Sequence, residues 1–247
     1  MKNKKKKGLF FRLLVKIFNR KYRKIQIIGQ ENIPEDASII IGNHAQMHGS
    51  ILAEIKFPYR RYTWCIGNML HLKEVPKYVL DDFWPNRKKG TTWFYKIVSY
   101  LIAPLCVYIF KNADVIGVYK DTRGITTFKN TVQALKENYH IIIFPEYHKE
   151  YNNIVNEFQD KFIDVARIYY KNTGKELSFV PMYNAPKVNA VVYGKPIKFD
   201  SKDNIEDQRK VICDYLKNEI TNLAKSLPVH TVIPYENIPK KKYPKSK

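Results

Sequence analysis

Short apolar runs alternate with stretches of helical spacing along this chain. Residues 24–28 and 38–41 read as β runs, parted by the turn Asn32-Ile33-Pro34-Glu35-Asp36. Gly42-Asn43-His44 ends the second run, and a helix is expected to start near His48. Residues 62–66 form a further strand and 73–83 a short helix. Residues 93–110 are the most apolar stretch of the chain, interrupted by Lys96 and Pro104, and read as a buried or membrane-dipping helical hairpin. After it come a strand over 113–119, a helix over 124–137 with Ile125, Phe128, Val132 and Leu135 on one face, and a buried strand over 140–144. A helix over 155–170, strands over 177–182 and 188–198, and a closing helix over 205–224 complete the pattern. Strands alternating with helices predict an α/β fold, a single domain around a mixed, largely parallel central sheet flanked by helices.

The amino-terminal residues follow another pattern. Phe10, Leu13, Leu14, Ile17 and Phe18 keep helical spacing, while Arg12, Lys16, Asn19, Arg20 and Arg23 fall mainly on the other side. This is a basic amphipathic helix of the kind that lies in a membrane interface. A helix packed on the protein's own core, with its lysines merely solvated, is the plainer alternative. Charges interrupt the apolar run and no small-residue cleavage site follows, so a secretory signal is not expected. The run is also too short to span a bilayer.

Charge sharpens the division. The 247 residues hold 43 Lys and Arg against 23 Asp and Glu, a net charge of +20. Eleven basic residues and no acid lie in 1–24, and five with no acid in 239–247, which leaves only about four of the twenty excess charges for residues 25–238. The predicted organisation is therefore a basic membrane-association segment (1–24), a nearly balanced α/β body (25–238) and a basic tail (239–247). Such ends seek polyanions, here an anionic membrane surface, with the protein peripheral on its cytoplasmic face. No basic stripe on the body supports a specific nucleic-acid partner. Cys65, Cys106 and Cys213 are too far apart for a disulfide framework or a cysteine zinc site and read as reduced, intracellular cysteines.

In sheets of this kind functional residues sit at strand carboxyl ends. Three groups fall there. His44 follows Ile39-Ile40-Ile41 and a glycine, and an imidazole can take a proton from a hydroxyl nucleophile near neutral pH. His48 lies four residues on, a spacing open to a metal pair, although no Glu follows His44 as in H-E-x-x-H. Phe144-Pro145-Glu146 leaves the strand Ile141-Ile142-Ile143, where a stiff turn and a carboxylate suit a site lip and equally suit an ordinary loop exit. Lys120 and Arg123, beside Asp121, can hold a phosphate or form a solvated turn.

Order and spacing add what each group lacks alone. Asn43-His44, then Val118-Tyr119-Lys120, then Phe144-Pro145-Glu146, then Val180-Pro181 resemble the successive blocks of the glycerolipid acyltransferase family, the bacterial 1-acylglycerol-3-phosphate acyltransferases and their relatives. Residues 27–34 also resemble the stretch before that family's first block, so the resemblance covers roughly residues 25–200. It implies acyl transfer from acyl-CoA or acyl carrier protein to a lysophospholipid hydroxyl, with His44 as general base, Asn43 positioning it or the oxyanion, Glu146 holding acceptor hydroxyls and Lys120 or Arg123 an acceptor phosphate. No metal or bound cofactor is implied. Three positions depart from the family pattern. Gly49 stands where an aspartate orients the histidine, Tyr147 replaces the glycine after F-P-E, and Lys120 replaces an arginine. Glu54, Asp121 or Glu146 is left to substitute for the aspartate, or His48 with a hydrogen bond from Gln46 or Ser50. A different acceptor and a non-catalytic membrane-binding scaffold are the other readings these departures leave open.

Overall fold

Uncharged isoleucine runs need cover on both faces, and parallel strands sandwiched between helices provide it. The computed structural model describes residues 6–85 and 87–247. Its main sheet contains β1 (Gln26–Ile28), β2 (Ile39–Gly42), β3 (Arg61–Ile66), β4 (Val115–Val118) and β5 (His140–Ile143). A separate hairpin is made by β6 (Glu146–Glu150) and β7 (Asn156–Phe158), and β8 (Ser178–Ala185), β9 (Ala190–Tyr193) and β10 (Ile197–Lys198) return to the main sheet. The strand order is β1-β9-β8-β2-β5-β3-β4, with β10 pairing β8. From β8 to β4 all pairings are parallel, with Ile39 opposite Ile141 and Ile41 opposite Pro181 and Ile143. Only β9 and β10 run antiparallel to β8. The sheet is thus mixed and largely parallel, as the alternation of patterns predicts.

Strand alternation distributes the core. Ile39, Ile41, Ile141, Ile143 and Phe179 point to one face, under α5 (Gly124–Lys136), α6 (Asp164–Thr173) and α7 (Ile205–Ser226). Ile40, Ile142, Val180 and Met182 point to the other, under α2 (Met47–Lys56) and the end of α1 (Leu9–Lys21). A third cluster joins α3 (Val75–Phe83) to α4 (Thr92–Asn112) through Val75, Val79, Ala103 and Val107.

Three expectations change. Residues 93–110 form no hairpin: α4 is one 21-residue helix with Pro104 inside it, and packing of Ala103 and Val107 on α3 offsets the hydrogen bond that proline removes. Residues 155–170 are not one helix. Asn156 N–H donates to the Glu146 carboxylate and its side chain donates to the Tyr147 carbonyl, which holds this segment as β7 before a 3-10 turn leads into α6. Residues 188–198 break into two strands around Gly194-Lys195-Pro196, where proline has no N–H for a ladder.

The amino-terminal helix packs one side on the protein and leaves the other exposed. Phe11, Phe18 and Tyr22 pack inward, while Leu9, Phe10, Leu13 and Ile17 are exposed. Lys7 is not simply solvated: it pairs with Glu54 (2.7 Å) and Asp114 (3.0 Å), which also flank the buried Arg61. Lys2, Lys4 and Lys5 lie outside the described residues. Where α1 begins it touches the end of α4: Gly8 N–H donates to Asn112 (2.7 Å), and the Phe10 and Tyr108 rings lie 6.0 Å apart. Trp93, Phe94, Ile97, Tyr100, Leu101 and Leu105 of α4 are exposed, Leu101 to 73%. Residues Lys89–Asn112 form the one helix among the described residues long and apolar enough to cross a membrane.

Candidate functional site

The chain leaves β2 at Gly42 and turns sharply before α2. Asn43 is buried and locks this exit to β8: its side-chain oxygen accepts from Asn184 N–H (2.6 Å), and the Asn184 side chain donates to the Asn43 carbonyl (2.9 Å). The turn then passes through two residues with positive φ, Ala45 (φ 45°) and Gln46 (φ 54°, ψ −132°). Gln46 stands in a region that belongs to glycine and costs on the order of 1–3 kcal/mol elsewhere. The result is local and chemical. The Gln46 carbonyl comes back against Nδ1 of His44. A carbonyl only accepts, so Nδ1 carries the proton and Nε2 is left with its lone pair, the arrangement a general base needs. Burial holds the His44 pKa below the ordinary histidine value, against the opposing Gln46 carbonyl and the charge of Asp82 on α3. The Phe144 and Tyr235 rings flank the imidazole edge-on, at 5.3 and 5.9 Å.

Glu146 has a different post from the one its sequence position predicts. It is buried, and its two oxygens accept the N–H of His44 (2.5 Å) and of Asn156 (2.9 Å). It fastens the exit of β2 to the β6–β7 hairpin rather than standing at an open lip. Burial pushes its carboxyl up to about 7, against the two backbone N–H groups. Pro145 gives its carbonyl to Gln159 N–H (2.9 Å). Phe144 lies beside His44 and Gly49.

Gly49 is where the orienting carboxylate of the acyltransferase pattern is missing, and the space explains it. A Cβ there would come within 2.6 Å of the His44 carbonyl and 3.0 Å of the Asn43 carbonyl and Phe144. The first turn of α2 is pressed onto the His44 turn, with Gly49 N–H donating to the His44 carbonyl (3.0 Å). The partner of Nδ1 is therefore a backbone carbonyl, a group without a side-chain signature. The proposed substitutes are engaged elsewhere: Glu54 with Lys7 and Arg61, Asp121 with Arg123, and Glu146 with backbone. His48 Nδ1 and the Tyr22 hydroxyl share a hydrogen bond (2.6 Å), tying α2 to the end of α1, and burial lowers the His48 pKa.

Lys120 and Arg123 follow β4, three strands from β2, or about 14 Å away at the usual strand spacing. Lys120 is exposed at this same carboxyl edge. Arg123 is engaged by Glu74 (2.8 Å) and Asp121 (2.8 Å) and stacks on Tyr119 at 4.3 Å. Residues that the motifs do not mark also reach the site: Tyr235, and Glu236 and Tyr243, which contact Gln46. The expected basic tail, 239–247, folds back here. Nothing in local spacing could have found these contacts, since the partners lie some 190 residues apart in the chain.

This architecture, a largely parallel sheet between helices, is shared with a solved acyltransferase. The fold is similar to that of the 1-acyl-sn-glycerophosphate (LPA) acyltransferase PlsC from Thermotoga maritima, with a TM-score of 0.50 and 15% sequence identity over 86% of this chain and 79% of that one. At that identity the likeness is one of fold. No family model matches the chain, and no curated protein matches it in sequence.

Two measurements check the geometry. Gly49→Asp is expected to lower stability by about 1–3 kcal/mol in urea unfolding, because the atoms met are backbone and cannot swing aside. A variant as stable as wild type would show that the turn can retreat. For Glu146→Gln the sign follows from the raised carboxyl pKa. The folded state holds this proton between the ordinary 4.5 and about 7, so the group's stabilisation is complete below 4.5 and lost as pH rises through 7. Glutamine does not titrate and has one acceptor oxygen for two N–H donors. Its deficit is expected to be about 1–3 kcal/mol at pH 4.5 and smaller at pH 8; a deficit independent of pH would mean that the wild-type carboxyl is ionised throughout.

Proposed function

We propose that this protein transfers an acyl group from an acyl thioester, acyl-CoA or acyl carrier protein, to a hydroxyl of a lysophospholipid such as 1-acylglycerol-3-phosphate. The observation that carries this reading is His44 with Nδ1 committed to a carbonyl and Nε2 without a partner among the described residues, at the carboxyl edge of the sheet. Nε2 takes the proton of the acceptor hydroxyl, the oxygen attacks the thioester carbonyl, and the tetrahedral adduct expels the thiolate, which takes that proton from His44. No acyl-enzyme is required. Asn43 fixes the turn that bears the base. Lys120, exposed at the carboxyl edge of the sheet, is the cation for an acceptor phosphate. The fold likeness to an LPA acyltransferase and the order of the sequence blocks support the same reading.

The engagement of Arg123 by Glu74 and Asp121 favours a second version, in which the acceptor is another lipid or a small molecule that needs only one cation. A non-catalytic membrane-binding scaffold is what remains if His44 turns nothing over. In either case the exposed apolar residues of α1 and α4, with the basic amino terminus, form the surface by which the protein docks peripherally on the cytoplasmic face of an anionic membrane.

His44→Ala is expected to reduce transfer from acyl-CoA or acyl carrier protein to lysophospholipids in mixed micelles by roughly a hundredfold or more. Equal activity in a folded variant would reject His44 as the base. With its lowered pKa, His44 stays neutral to lower pH than an ordinary histidine. The acid limb of the wild-type rate profile is accordingly expected below about 6.5. For docking, Leu101→Glu is expected to weaken cosedimentation with phosphatidylserine-containing vesicles about tenfold, the equivalent of one apolar side chain withdrawn from the interface. Unchanged binding would remove α4 from the docking surface.

A further inference from the structure

Residues 230–246 form a strap that returns across the carboxyl edge of the sheet. Val232 N–H donates to the Pro244 carbonyl (2.9 Å), Ser246 N–H to the His230 carbonyl (3.0 Å), and Thr231 pairs with Lys245. The strap is anchored at its base, where His230 Nε2 meets the hydroxyl of buried Tyr183 at 2.9 Å. It reaches the His44 turn through the Tyr235 ring, 5.9 Å from the imidazole, and through the Gln46 side chain. Gln46 Nε2 donates to the Tyr243 hydroxyl (2.8 Å) and to the Glu236 carbonyl (3.3 Å), so both hydrogens of this amide go to the strap.

Gln46 is the residue whose backbone most needs holding. Its φ and ψ are those of glycine, and in this conformation its carbonyl meets Nδ1 of His44. We infer that Gln46 and Tyr243 are positioning residues: the carboxy-terminal strap grips the Gln46 side chain, keeps its backbone in the glycine-like conformation, and so fixes the tautomer and orientation of His44. This role rests on His44 serving as the base proposed above. It has a specific corollary. A glycine at position 46 would adopt the conformation unaided, so the grip is needed with glutamine and dispensable with glycine.

The test is nitrogen-15 NMR of the histidine side chains in the full chain, beside the transfer assay. Wild-type His44 is expected as the Nδ1–H tautomer. Tyr243→Phe, which removes one hydroxyl, is expected to move it toward a mixture with Nε2–H and to lower kcat about tenfold with KM changed by less than about twofold. Gln46→Met, which releases the grip from the other side and leaves Tyr243 in place, is expected to do the same and keeps the test open if Tyr243→Phe does not fold. In Gln46→Gly/Tyr243→Phe the Nδ1–H tautomer is expected to return. A wild-type tautomer in both single variants overturns the assignment. So does a tautomer shift that glycine fails to rescue, since the strap would then be acting as general support. The NMR reading needs no substrate: absence of transfer by the wild type would sink the acyltransferase reading while leaving the tautomer result to stand or fall separately.

Discussion

The Glu146 carboxylate accepts the N–H of His44 on one oxygen and the N–H of Asn156 on the other, and by doing so joins three segments that are distant in sequence: the exit of β2, the exit of β5 and the start of β7. Burying a carboxylate costs several kcal/mol, and hydrogen bonds to a charged group return about 1.5–3 kcal/mol each. Burial outweighs the two hydrogen bonds, which leaves the carboxyl titrating close to neutrality. The same side chain sets where the His44 turn begins and why residues 156–158 are a strand. Asn43 and Asn184 complete the clamp on the other side. Asn184 Oδ1 is the one buried side-chain oxygen without a partner among the described residues, and it lies in this clamp.

Much of the fold was legible because it rests on local pattern. Ile39-Ile40-Ile41 and Ile141-Ile142-Ile143 are uncharged, β-branched and bounded by turn residues, and they form the centre of the sheet. Helices α5 and α7 match their expected bounds to within a residue or two, although Ile125 of the expected apolar face of α5 is exposed. The errors arose where a long-range bond overrode local spacing. Residues 155–170 read as one helix, yet Asn156 near their start pairs with Glu146 and Tyr147, which draws it into a hairpin. In 93–110 the proline suggested a break, yet the packing of α4 on α3 carries the helix through it.

The candidate site was legible in its residues more than in its connections. His44 and Asn43 lie at the expected strand end, whereas the group that orients the imidazole is a main-chain carbonyl that any residue could supply. What makes Gln46 the right residue is its conformation, and no side-chain motif encodes that. Gly49 reads in sequence as the loss of a functional carboxylate. In space it is the residue that lets α2 approach the turn, so the missing aspartate and the alternative orienting group are two sides of one packing arrangement.

The contact between Gln46 and Tyr243 spans 197 positions of the chain. A polypeptide emerges from the ribosome amino end first, and domains settle as their segments become available. The central strands and most helices can pair before the last residues are made, but the His44 turn acquires its final support only when residues 230–246 have arrived. A nascent or prematurely ended chain would therefore carry the fold and the histidine without the completed turn around it.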